Sequence, residues 1–223
     1  MAAPQTGEEL MRERFPAFLA LAKADGYCGP FVPYVGPRYP TSELKIVYCG
    51  VAPYYDDDSP FNAPADAAEW SRSVAEEADI GSPFWRLLDD ILGLRYAEKP
   101  LERRQRAVWT NLSKLNWGGR ITAPADGEQA LRRLNVAQFK DEMALLGPNL
   151  LVCVSGSGLV ETGRELFEPL DRGAFMPSVD QTWVRKLPTG GTLYWTMHPG
   201  HKSTDWKNRV IGDVAKLIAS CAA

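Results

Sequence analysis

Residues 44–61 read LKIVYCGVAPYYDDDSPF. Six apolar-rich residues of strand length run to a glycine, a turn forms on Pro53, and the chain then meets two tyrosines, three aspartates and a Phe. A strand that is apolar on both faces and stops at Gly50 belongs inside a sheet covered by helices on both sides. The polar turn after it marks a place where chemistry can gather.

Two further runs share the pattern. Ala107–Leu112 lies in RAVWTNLSK and Leu150–Val154 in NLLVCVSGSG, and each passes directly into polar or glycine residues. A fourth strand, TLYWTMHP, follows the Gly190–Gly191 turn. Between the strands lie helix-like stretches: PADAAEWSRSVAEEA, SPFWRLLDDILGL with its Ser-Pro start, and GEQALRRLNVAQFKDEMALLG, which ends at Gly147 before Pro148. In STDWKNRVIGDVAKLIA, Ser203 or Thr204 can cap a helix whose Val210, Val214, Leu217 and Ile218 form one stripe. The alternation predicts an α/β fold, a three-layer α-β-α sandwich around a four-stranded, mainly parallel sheet.

The 223 residues, 45% of them apolar, suit one domain that buries roughly 70% of its unfolded surface. Residues 1–40 read as an N-terminal extension of that domain: a helix over 7–24 interrupted near Pro16, then a loop dense in Pro, Gly and Tyr. Cys28, Cys49, Cys153 and Cys221 form no C-x-x-C pair, so no zinc or iron–sulfur site is expected and no cofactor is implied. No apolar run approaches the ~20 residues of a membrane span. The first residues lack the order of a signal peptide, so a soluble, cytoplasmic and monomeric chain is expected. A formal charge of −3 argues against indiscriminate polyanion binding while leaving a local basic face open.

Ligands of open α/β sheets bind outside the carboxyl ends of the strands. Those ends carry GVAPYYDDD, TNLSK, SGSG and MHPGHKST. Both histidines of the chain, His198 and His201, fall in the last of these loops, with Pro199 fixing the turn after His198. Asn111 either caps a turn through its amide or uses the amide's donor and acceptor to read a planar ligand. The SGSG turn, with Ser155 and Ser157, is either structural or a backbone anion cradle, and it lacks the Lys of a P-loop and the G-x-S-x-G pattern. The run GHKSTDWKNR places Lys202, Ser203, Lys207 and Arg209 near His201, as a phosphate-contacting loop or a solvated face. Asp56, Asp57 and Asp58 offer a catalytic acid with a raised pKa, a cation site or an acidic loop tip.

In order and on this strand pattern, GVAPYYDDDSPF, VWTNLSK, NLLVCVSGSG and MHPGHKS resemble the motifs of the uracil-DNA glycosylase-like superfamily, over roughly residues 40–220. The resemblance implies an N-glycosylase that flips and excises a damaged or deaminated base of the uracil type from DNA. It places Gly50, Val51, Ala52, Pro53, Tyr54, Phe61 and Asn111 around the base, with Phe61 as the stacking ring and Tyr54 as a gate. His198 takes the role of stabilising the departing base, and Ser155, Ser157, His201, Lys202 and Ser203 lie along the DNA. The motif also departs from the better-known subfamilies. Ala52 stands where the uracil-specific subfamily has Asp, and Val51 where the iron–sulfur subfamily has Glu, which leaves Asp56, Asp57 and Asp58 to supply an acid. The alternative implied is a member that binds a nucleobase, nucleotide or DNA without cleaving it. A serine hydrolase using Ser155 or Ser157 with His198 competes from outside the family, without a nucleophile elbow.

Overall fold

The computed structural model describes residues 6–53, 61–77, 81–117, 129–156, 160–167 and 182–221. In chain order the helices are α1 (Gly7–Met11), α2 (Phe15–Asp25), α3 (Pro64–Glu77), α4 (Pro83–Gly93), α5 (Pro100–Arg104), α6 (Gln129–Leu146), α7 (Val160–Phe167) and α8 (Thr204–Cys221). The strands are β1 (Tyr27–Cys28), β2 (Tyr34–Val35), β3 (Ile46–Gly50), β4 (Ala107–Asn111), β5 (Asn116–Trp117), β6 (Leu150–Cys153), β7 (Trp183–Lys186) and β8 (Thr192–Trp195).

The four strands legible in the sequence are β3, β4, β6 and β8, and they lie side by side and parallel in the order β4-β3-β6-β8. The sheet is nevertheless six-stranded and mixed, not four-stranded, because β2 and β7 pair antiparallel at its two edges. Both additions suit edges: β2 is two residues between Pro33 and Gly36, and three of the four residues of β7 are exposed. A separate pair, β1 with β5, ties the N-terminal loop to the segment after β4.

Alternation along the strands divides the core into two layers. Ile46, Tyr48, Trp109, Val152 and Tyr194 face α4 and α8, whereas Val47, Cys49, Val108, Leu151 and Trp195 face α6 and Leu166 of α7. Burying each such side chain contributes about 1.5–3 kcal/mol. The N-terminal loop belongs to this core. Tyr27, Phe31 and Tyr39 are buried, and Phe31 packs edge-on against Trp109 at 4.9 Å. No helix among the described residues is long and apolar enough to cross a membrane.

Chain direction makes the site. From β3 the chain passes to β4 on one side, then returns across β3 to reach β6 on the other. This reversal of direction falls at the carboxyl ends of β3 and β6, the place where such sheets hold ligands.

Candidate functional site

The first turn leaves β3 at Gly50 and is held by the loop after β4. Leu112 N–H donates to Gly50 O (3.0 Å) and Ser113 N–H to Val51 O (2.8 Å). A Cβ on Gly50 would run into Asn111 Oδ1 and come within 3.2 Å of the Phe84 ring, so only glycine lets the three groups meet. Val51 and Ala52 are half-buried and Pro53 is buried. Tyr54, Asp56, Asp57 and Asp58 lie outside the described residues.

Asn111 sits opposite Gly50 in the β3–β4 register and is 2% exposed. Its amide Nδ2 has no hydrogen-bond partner among the described residues. A buried donor left unmade costs about 1–3 kcal/mol. The backbone below it is strongly braced. Lys114 Nζ donates to Asn111 O (2.8 Å) and Thr110 Oγ1 (2.6 Å) and pairs with Glu142 Oε1 (2.9 Å), with both charged side chains at 0% exposure. The turn-capping role open to Asn111 is filled by neighbours: Ser113 Oγ accepts from Leu115 N–H (3.3 Å), and Asn135 Oδ1 accepts from Lys114 N–H (3.0 Å).

Ser155 is buried, and its hydroxyl accepts from Trp195 Nε1 (2.9 Å). That hydroxyl therefore braces the end of β6, and the serine-hydrolase arrangement with His198 finds no support in it. Ser157 lies outside the described residues. Gly156, at φ +60°, donates its N–H to Thr196 O (3.0 Å) and so joins the β6 turn to the end of β8.

Beyond β8, Gly200 N–H donates to His198 Nδ1 (3.1 Å). An Nδ1 that accepts carries no proton, so a neutral His198 holds its proton on Nε2 and presents it as a donor. Loss of solvent around the ring, then the charges on Lys202 and His201, lowers the His198 pKa from its ordinary 6.5, although much of the residue is exposed. Burial and neighbouring cations thus both favour the neutral donor. His201 is exposed in the left-handed region at φ +57°, and Lys202 is half-buried. Ser203 Oγ accepts from Trp206 N–H (3.2 Å) and caps α8, while Lys207 pairs with Asp90 (2.5 Å). The cationic run is thereby split: Lys207 is tied to α4, and His201 and Lys202 remain beside the site.

The aromatic face comes from a residue that in the sequence marks only the start of a helix. Phe84, second residue of α4, lies against Gly50 and stacks on His198 with ring centroids 6.1 Å apart and planes 18° apart. Tyr48 fixes it from beneath, with rings 4.6 Å apart and the Tyr48 hydroxyl donating to Phe84 O (3.1 Å). Phe61, the expected stacking ring, is half-buried against Trp70 at 6.1 Å, with its N–H donating to Gly29 O (2.8 Å). Phe84 rather than Phe61 is the ring brought to both Gly50 and His198. The signal for it is the Ser-Pro-Phe start of α4, which fixes where the first turn of that helix begins.

The assembled groups are a buried amide donor without a partner among the described residues, a second N–H donor on a neutral imidazole, and an aromatic ring in reach of both loops. Such a set can donate hydrogen bonds to the carbonyl acceptors of a planar ligand. Among the described residues, no three His, Cys, Asp or Glu side chains converge to hold a metal ion. No protein-family model matches the chain, and no curated protein matches its sequence.

Proposed function

We propose that the chain is a uracil-DNA glycosylase-like enzyme that flips a deaminated base out of DNA and hydrolyses its N-glycosidic bond. The observation that carries the reading is the buried amide of Asn111, whose Nδ2 is unpartnered among the described residues beside a glycine that permits close approach. A flipped uracil-type base satisfies it: Asn111 Nδ2 donates to a ring carbonyl, its Oδ1 accepts from the ring N–H, and the base stacks on Phe84. His198 Nε2–H donates to the carbonyl on which negative charge grows as the C1′–N bond breaks. Water adds to C1′, and its proton finishes on the departing base. His201 and Lys202 meet the DNA phosphates, and one of Asp56, Asp57 and Asp58 places the water.

Incubation with oligonucleotides carrying uracil, hypoxanthine or xanthine tests this through the appearance of abasic sites. Activity on uracil that Asn111→Ala and His198→Ala both abolish is the expected result. Full activity in both variants sinks the assignment.

The second reading, binding without cleavage, is favoured by Val51 and Ala52, which leave the first turn without an acid. It expects salt-dependent binding of uracil-containing DNA with the base left in place.

A further inference from the structure

We infer that Lys114 is a positioning residue that aims the Asn111 amide, an inference that rests on the base-reading role proposed for Asn111. The Lys114 ammonium is fully buried and bonds three groups around the end of β4: Thr110 Oγ1, Asn111 O and the Glu142 carboxylate. Thr110 Oγ1 donates in turn to Glu142 Oε2 (2.8 Å), and Gln138 Nε2 donates to Glu142 Oε1 and to Leu10 O (2.9 Å each).

The cation therefore curls residues 110–114 back upon themselves. The same loop is held from outside at four further points: Lys114 N–H by Asn135, Lys114 O by Phe31 N–H, and Leu112 and Ser113 N–H by the carbonyls of Gly50 and Val51. The ammonium bond to the Asn111 carbonyl pins the backbone at the Cα from which the amide side chain projects.

Stability alone does not account for the arrangement. Desolvating two charges offsets much of their attraction, and buried pairs replaced together by neutral side chains often leave stability unchanged. An attachment at the Asn111 carbonyl, under a side chain whose Nδ2 has no partner among the described residues, is a geometric device.

The test replaces both charges at once with Lys114→Met/Glu142→Gln, in which the introduced amide retains partners for Thr110 and Gln138. In isotope-labelled protein the Asn111 side-chain amide resonances, identified by their loss in Asn111→Ala, are expected to shift or broaden while the backbone spectrum persists. Excision kcat/KM on uracil DNA should fall about tenfold or more, with salt-dependent binding of undamaged DNA unchanged.

An equal loss in both functional measurements, or Asn111 resonances that stay in place, overturns the inference. If the double variant does not fold, Thr110→Val decides, since it deletes one bond to Lys114 and keeps the ion pair; unmoved Asn111 resonances there also overturn it. Wild-type protein that neither excises nor binds uracil DNA refutes the glycosylase reading, and the Asn111 spectrum still decides the positioning role.

Discussion

The Phe84 ring lies 18° from parallel with the His198 imidazole at 6.1 Å, although one residue opens α4 and the other follows β8. A Cβ on Gly50 would come within 3.2 Å of the same ring. One side chain therefore spans the floor between the first and last loops of the site. Phe84→Ala should lower kcat/KM on uracil DNA on the order of 10-fold, the effect of removing one stacking contact worth ~1–3 kcal/mol. Phe61→Ala, which loosens packing against Trp70 away from the Gly50–His198 pair, should change it far less.

Asn111→Ala separates stability from function. It deletes a buried donor that has no partner among the described residues, so the melting temperature should hold or rise slightly. Excision should fall by about 100-fold or more, as when one transition-state donor is lost. A large drop in melting temperature would show that the amide is structurally engaged.

At Gly50 the prediction has the opposite form. Gly50→Ala thrusts a methyl group at Asn111 Oδ1 and the Phe84 ring, and both must give way. Overpacking of this kind costs about 1–3 kcal/mol by denaturant unfolding, and base binding should be lost with it.

The pH profile follows from His198. Its pKa lies below the ordinary 6.5 because of lost solvent and the charges on Lys202 and His201, so the imidazole stays neutral as pH falls past that value. A neutral donor at Nε2 then requires the acid limb of kcat to fall below pH 6.5, where protonation displaces the Gly200 bond. Lys202→Ala should move that limb upward. A limb that does not respond assigns the titration to another group.

Asp89 and Arg104 make a bidentate pair beneath α4, at 2.8 and 2.7 Å, with Arg104 also 4.7 Å from the Trp85 ring centre. Asp89→Ala leaves a buried guanidinium without its carboxylate and should cost about 3–5 kcal/mol in urea unfolding. Since α4 carries Phe84, excision should fall in the surviving folded protein as well.

The four central strands are legible because each is an apolar run bounded by a polar or glycine end, and those ends point to Gly50, Asn111, Ser155 and His198 without a structure. What escapes is set by contacts distant in sequence. The two residues of β2 carry no periodicity, and the strand exists because Trp109 and Val108 of β4 lie beside it. β7 is mostly exposed and reads as a polar segment until Thr192–Trp195 pairs with it. In the site, the resemblance points to Phe61, in the continuation of the first motif, and Phe84 stands in the sequence only as part of a helix start. The intervening α3 carries the chain away and α4 brings it back, a detour that no local pattern records. The Lys114–Glu142 pair is equally hidden, since nothing in TNLSK shows that the lysine points inward.

The clamp between the N-terminal loop and the β4 loop bears on the order of assembly. Phe31 N–H bonds Lys114 O, Phe61 N–H bonds Gly29 O, and β2 pairs with β4. During synthesis this segment emerges before β4 and has to wait for it before these hydrogen bonds can form, and closing so long a loop is slow. The Asn111 end of β4 thus gains these braces when a segment made well before it returns to it.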